Sequence, residues 1–236
     1  ISLEPIDLKD ELDMDVSKVK GDTDLKVEMS FPTKDDLEIE EIKMDISGTV
    51  RDGYLPDMLE GLPLSGGPFK VDVNNERYTV NGSGKLGEHS VTLDWLEYLS
   101  SKGKPYKHQA KAKVIAKESL RKHFGIDLSD FITGSVPLNL TYTGFAGDKS
   151  EIQATGDMTQ AEFFVKSFDY TKPAGQTGDA TFKAFLSNNN LRQVNVAKAS
   201  APNFKLEDTQ ILFRGTGENT EVSQANIKRF VIGETI

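Results

Sequence analysis

Gly61-Leu-Pro-Leu-Ser-Gly-Gly-Pro68, Phe69-Lys-Val-Asp-Val-Asn-Asn75, Arg77-Tyr-Thr-Val-Asn-Gly-Ser-Gly84 and Val91-Thr-Leu-Asp-Trp95 are the stretches that decide the fold. Three of them alternate strictly. Phe69, Val71 and Val73 fall on one side, with Lys70 and Asp72 on the other. Tyr78 and Val80 repeat the pattern, as do Val91, Leu93 and Trp95 against Thr92 and Asp94. Successive side chains of a strand point to opposite faces, so each run predicts a half-buried strand. Asn74-Asn75 and Gly87-Glu88 stand where tight turns are needed, because Asn and Gly tolerate positive φ. The result is an antiparallel meander with one apolar and one polar face.

Outward from this stretch the pattern repeats. Leu25, Val27, Met29 and Phe31 alternate until Pro32, and Ile42, Met44, Ile46, Gly48 and Val50 follow. Before them, Leu12, Met14 and Val16 fit a strand, while Leu8, Leu12 and Val16 fit a helix stripe; the strand is favoured. Leu37 and Ile39 form a short apolar pair, and Asp52–Pro68 reads as a turn-rich link. Tyr106, His108, Ala110, Ala112 and Val114 make the next inward face, with Lys107, Lys111 and Lys113 outward.

Then the period changes. Ala116–Phe124 places Leu120 and Phe124 four apart among good helix formers, with Gly125 as a stop, so a short helix is expected. Asp127–Ile132 suggests a second helical turn with Leu128, Phe131 and Ile132 as its apolar side. Strands resume with Val136, Leu138, Leu140 and Tyr142. Ile152–Met158, Ala161–Val165 and Ala180–Leu186 follow, the last turned by Asn188–Asn190. Leu191–Ala197, Asn203–Leu206, Gln210–Phe213 and Asn226–Ile232 complete the set, and Tyr170–Gly178 reads as a loop. A dozen or more short strands and one or two short helices make the fold class mainly all-β. The expected division is a single segment, 1–236: strands over 1–115, a helical insert over 116–133, and strands over 134–236.

The 236 residues include no cysteine, which excludes disulfides, thiolate metal sites and cysteine nucleophiles. The formal charge of −9 argues against a general nucleic-acid binder. The charge is uneven: Ile1–Glu60 holds 18 acids against 7 bases, whereas Lys102–Lys122 holds 8 bases against Glu118 alone. The basic stretch is either a solvated face or a patch for anionic head groups, with Lys107, Lys111 and Lys113 as its candidates. The chain begins at Ile1 and is still patterned at Ile227, Phe230 and Ile232, so it reads as a piece of something longer.

Gly82-Ser-Gly-Lys-Leu-Gly87 spells a dinucleotide loop, but a strand follows it rather than the helix whose N-terminus would hold a pyrophosphate, so a hairpin turn is expected. His89, His108 and His123 match no metal spacing and read as surface or strand-face histidines. No activated nucleophile or tuned acid stands out, so neither enzymatic activity nor a cofactor is expected.

Met44-Asp-Ile-Ser-Gly-Thr-Val50, Leu59-Glu-Gly-Leu-Pro-Leu-Ser-Gly-Gly67, Tyr78-Thr-Val-Asn-Gly-Ser-Gly-Lys-Leu-Gly87, Leu93-Asp-Trp95, Ile132-Thr-Gly-Ser-Val-Pro-Leu-Asn-Leu140 and Tyr170-Thr-Lys-Pro-Ala-Gly175 occur in an order that resembles the AsmA-like proteins of the bacterial envelope. The YhdP-type members and their TamB-group relatives are the nearest in pattern. The acidic first 40 residues match least. Membership would imply an elongated, twisted meander rolled into an open apolar groove that conducts phospholipid across the periplasm. It would also imply an inner-membrane anchor outside this chain, contacts with outer-membrane or other envelope proteins, and no catalytic residues. The groove would be lined by Val71, Val73, Tyr78, Val80, Val91, Leu93, Leu138, Leu140, Tyr142, Phe182 and Leu186. The alternative is a structural or adhesive β-module that binds protein or glycan on its outer face. A closed sandwich and an open groove use the same alternation, so both stay open at this point.

Overall fold

A computed structural model describes residues 18–34, 38, 41–59, 61–124, 128–216 and 219–233. It is an all-β protein: one antiparallel sheet of twelve strands that is not closed, with a separate three-stranded sheet. The candidate strand or helix at Leu8–Val16, the pair Leu37 and Ile39, the stop at Gly125 and the start of the second turn at Asp127 lie outside the described residues.

The strands are β1 (Lys20–Ser30), β2 (Lys43–Leu59), β3 (Leu62–Asn74), β4 (Arg77–Leu86), β5 (His89–Tyr98), β6 (His108–Ala116), β7 (Ile132–Gly134), β8 (Val136–Gly144), β9 (Lys149–Asp157), β10 (Ala161–Val165), β11 (Tyr170–Lys172), β12 (Asp179–Ser187), β13 (Asn190–Ala201), β14 (Phe204–Arg214) and β15 (Glu221–Ile232). The helix α1 spans Glu118–His123. The large sheet runs β1-β2-β3-β4-β5-β6-β8-β9-β12-β13-β14-β15, and the small one β11-β10-β7. The chain forms two compact units, Ile1–Thr92 and Leu93–Ile236.

In the first unit the β3–β4 turn forms at Asn74-Asn75 as expected, but through side-chain hydrogen bonds, since neither asparagine takes a positive φ. Asn74 accepts hydrogen bonds from the backbone N–H groups of Glu76 and Arg77, both at 3.0 Å. Asn75 imitates a strand: its amide donates to Ile42 O at 2.6 Å and its Oδ1 accepts from Met44 N at 2.7 Å. The expected link over Asp52–Pro68 is instead ladder. Gly53 pairs with Gly66, Tyr54 with Ser65, Leu55 with Leu64 and Leu59 with Leu62. Asp52 and Asp57 at φ 50° and 52°, with Gly66 and Gly67 at 101° and 117°, bulge the strands without ending them.

Gly82 and Gly84 likewise lie inside β4, and only Gly87 belongs to the turn. Their role is clearance for Phe69, which is buried. A Cβ on Gly82 would stand 2.7 Å from Phe69 Cδ1, and one on Gly84 2.6 Å from its Cζ. The ring lies on bare backbone that any side chain would occupy.

In the second unit, Asn188 and Asn189 take φ 47° and 57° and close β12 onto β13 as the sequence predicts. The two expected strands Asn203–Leu206 and Gln210–Phe213 are one strand, β14, interrupted by Asp208 at φ 47°. The helix forms with Leu120 buried and Phe124 half-buried. The second helical turn shrinks to a single turn in which Phe131 N and Ile132 N both donate to Leu128 O at 2.8 Å, before Ile132 enters β7; Leu128 and Phe131 are exposed. The loop expected at Tyr170–Gly178 begins with β11. Pairing with β10, not alternation, makes that strand, since three residues carry too little pattern to read.

Candidate functional site

The register of the second unit places its side chains in rows. One row crosses seven strands as Ala112, Leu140, Ala154, Phe182, Val196, Thr209 and Ile227. A neighbouring row reads Ala110, Tyr142, Ile152, Ala184, Val194, Ile211 and Ala225. On the opposite face the corresponding row is Lys111, Thr141, Gln153, Lys183, Asn195, Gln210 and Asn226. One face is therefore apolar across the unit and the other mainly polar. Lys183 pairs with Glu151 at 3.0 Å and Arg229 with Glu207 at 3.2 Å, exposed contacts worth little individually.

The apolar face is covered unevenly. At the end where β6 finishes and β8 begins, Ile132, Val136, Met158 and Ala161 form a buried cluster, with Leu138 and Ala180 packed against it. The covering elements come from two excursions of the chain, 117–135 and 158–178, that both leave the sheet at this end. Phe163 meets Phe204 edge-on at 4.8 Å, and Tyr170 stacks on Phe204 at 5.4 Å. Across the middle, Leu140, Phe182 and Val196 are only half-buried, and Ile227 is 54% exposed.

A lysine locks the covered end. Lys172 is 0% exposed, and its ammonium donates to the carbonyls of Ala161 at 2.7 Å, Gln176 at 2.9 Å and Pro173 at 3.1 Å. Its alkyl stem fills space that a Cβ at Gly178 would enter, 3.2 Å from Lys172 Cε. Burial holds its pKa below the usual value, opposed in part by the charge of Asp157. Sequence reading placed this residue in a loop; a lone Lys before Pro offers no signal of burial.

At the other strand ends three rings form a stack. Trp95 lies on His108 at 5.1 Å, and His108 on Tyr142 at 5.5 Å. His108 sits over Gly144, where a Cβ would stand only 2.1 Å from its Nε2. Burial lowers its pKa, Glu97 opposes that shift and Lys107 adds to it. The expected strand-face histidine is thus the middle member of an aromatic stack.

In the first unit, Val71 pairs with Val80 and Val73 with Tyr78, and the same face continues to Gly48 and Ile46 and then to Leu25 and Val27. Cover thins along this series. Val71, Val73, Tyr78 and Val80 are half-buried, while Leu25, Val27 and Met29 are 46%, 55% and 58% exposed. Among the eleven residues expected to line a groove, Val71, Val73, Tyr78, Val80 and Val91 belong to the first unit. Leu93, Leu138, Leu140, Tyr142, Phe182 and Leu186 belong to the second. Only Val91 and Leu93 are buried; the rest are half-buried. Of the three lysines, Lys111 and Lys113 are exposed on β6, while Lys107 precedes that strand and stands 3.9 Å from Glu97.

Among the described residues no three His, Asp or Glu side chains are grouped to hold a metal, and no helix is long and apolar enough to cross a membrane. No family model matches the chain, nor does any curated protein or solved structure.

Proposed function

We propose that the apolar face of each unit holds the acyl chains of phospholipid, as a non-enzymatic segment of a periplasmic lipid-transfer protein of the AsmA-like type. The observation that carries this reading is the middle row of the second unit. Leu140, Phe182 and Val196 lie on a face whose opposite side is mainly polar, with Phe185 and Leu212 among its exceptions, yet they are half-buried where a sandwich core would close them off. The three-stranded sheet and its cluster cover one end only. Apolar surface of this kind gains about 25 cal/mol for every Å² removed from water, and an acyl chain can supply that cover without a directional contact. Selectivity would then lie in shape and apolar contact, with no bond made or broken. The meander order and the short helix after β6 agree with the resemblance in sequence. Inner-membrane tethering and envelope partners belong to the same proposal.

Organic extraction of the purified protein followed by mass spectrometry tests it. Phospholipid should be present in wild type and depleted in Leu140→Arg, with the melting transition of the variant retained, because an open face lets a charge hydrate. Absence of lipid from wild type, together with unfolding of Leu140→Arg, would make this face an ordinary core and sink the proposal.

A further inference from the structure

The strand ends opposite the covered one carry a patch of a different kind. β5 and β6 are joined by Leu99–Lys107, and β8 and β9 by Phe145–Asp148. Tyr98 N donates to Lys107 O at 3.0 Å and Lys107 N to Gly144 O at 2.8 Å, so the two connections emerge side by side. Leu99 is 57% exposed and Phe145 39%. Lys102, Lys104, Lys107 and Lys149 are exposed around them, against the acids Glu97 and Asp148. Lys104 Nζ lies 4.9 Å from the centre of the Tyr98 ring, and Tyr98 lies 5.6 Å from Tyr106. Single exposed apolar residues are ordinary. Two at the bases of adjacent loops, with lysines around them and tyrosines behind, in a protein of net charge −9, are a local reversal of its surface.

We infer that these two loops dock the protein onto an anionic bilayer surface, with Leu99 and Phe145 entering the head-group layer and Lys102, Lys104, Lys107 and Lys149 against lipid phosphates. The chemistry matches at both levels. Lysines near an anionic leaflet are attracted by its surface potential, and tyrosines favour the interface between apolar and wet regions. The inference goes beyond acyl-chain holding and does not depend on it: docking is read on intact vesicles, holding by extraction.

The chain lacks cysteine, so one introduced thiol gives a unique probe site. Ser101→Cys places an environment-sensitive fluorophore in the β5–β6 loop, and Ala174→Cys places one at the opposite strand ends. With vesicles of phosphatidylglycerol and phosphatidylcholine in low salt, emission from position 101 should rise and shift to the blue, while position 174 stays unchanged. The change should fade towards 1 M salt, where the screening length falls from about 10 Å to about 3 Å. Lys102→Glu with Lys104→Glu should lower vesicle partitioning by roughly 25-fold, and Leu99→Ser with Phe145→Ser should abolish the blue shift; all four sites are exposed, and melting curves check that the variants fold. Equal response at both positions, equal response to pure phosphatidylcholine, or no response at position 101 overturns the inference. A response that depends on protein concentration without vesicles assigns the patch to a second copy of the chain and overturns it equally.

Discussion

The covered end and the open middle of the second unit are built from the same alternation and end in different states. At the covered end, Val136 of β8 is 7% exposed. Further along the same strand Leu140 is half-buried, as is Phe182 of β12. Nothing in strand propensity separates Val136, inside the cluster, from Leu140, four residues on. The difference is tertiary: Val136 packs with Ile132 of β7, Met158 and Ala161 of β10, and Leu140 does not belong to that cluster. Burial on a one-faced sheet is therefore a property of its cover, and the strand supplies only the direction.

The strongest break of that comparison is a pair of truncations. Ile132→Ala, inside the cluster, is expected to cost about 2–4 kcal/mol, and Leu140→Ala, in the open row, about 1 kcal/mol, because a half-exposed side chain loses less on removal. Urea denaturation of the two variants measures the gap; equal losses would mean that the middle row is as closed as the end.

Next is the lock. Lys172→Met should cost about 1–3 kcal/mol by leaving the carbonyls of Ala161, Pro173 and Gln176 without their donor. The pH dependence has a definite sign. The folded pKa of Lys172 lies below its ordinary value of 10.5, so between the two the unfolded chain binds more protons. The contribution of this group to stability therefore rises with pH through that window. The methionine variant should lose this rise, as seen by comparing urea midpoints on either side of it.

A smaller effect sharpens the contrast from the uncovered strand ends. His108 has its pKa lowered from 6.5, mainly by burial. As pH falls from 6.5 towards the folded value, the unfolded chain takes up the proton first, so stability is lost in that range. His108→Phe keeps a ring between Trp95 and Tyr142 and should flatten the acid side of a plot of Tm against pH. A slope identical to wild type would remove the stack from the acid response.

The smallest effect belongs to the polar face. Lys111→Glu should change stability by under about 0.5 kcal/mol, since Lys111 is exposed opposite Thr141. A larger loss in thermal denaturation would show that the outer rows share in the packing.

Much of this was legible in the chain itself. The shared face of Val71, Val73 and Val80, and the opposite directions of Ala112 and Lys111, follow from a period of two, which is a local property of neighbouring residues. The turn at Asn188-Asn189 was readable for the same reason, since positive φ is chosen by the residue that must adopt it, whereas Asn74-Asn75 turns through side-chain hydrogen bonds. What failed was anything that needed a second segment. Asp52, Asp57 and Gly66 looked like a link because the signal for a bulge and the signal for a turn are the same residues; only pairing with the partner strand tells them apart. Gly82 and Gly84 looked like a turn until Phe69 was found lying on them.

By itself the sequence determined that this chain is a β meander with an apolar and a polar face, because side-chain direction is set by the strand and by the turns between strands. The tertiary structure alone decided which part of the apolar face is covered. Cover depends on where the two excursions fold back, on whether Lys172 finds three carbonyls, and on how the rings around Phe204 meet. Those are contacts between residues far apart in the chain, and a local period carries no information about them.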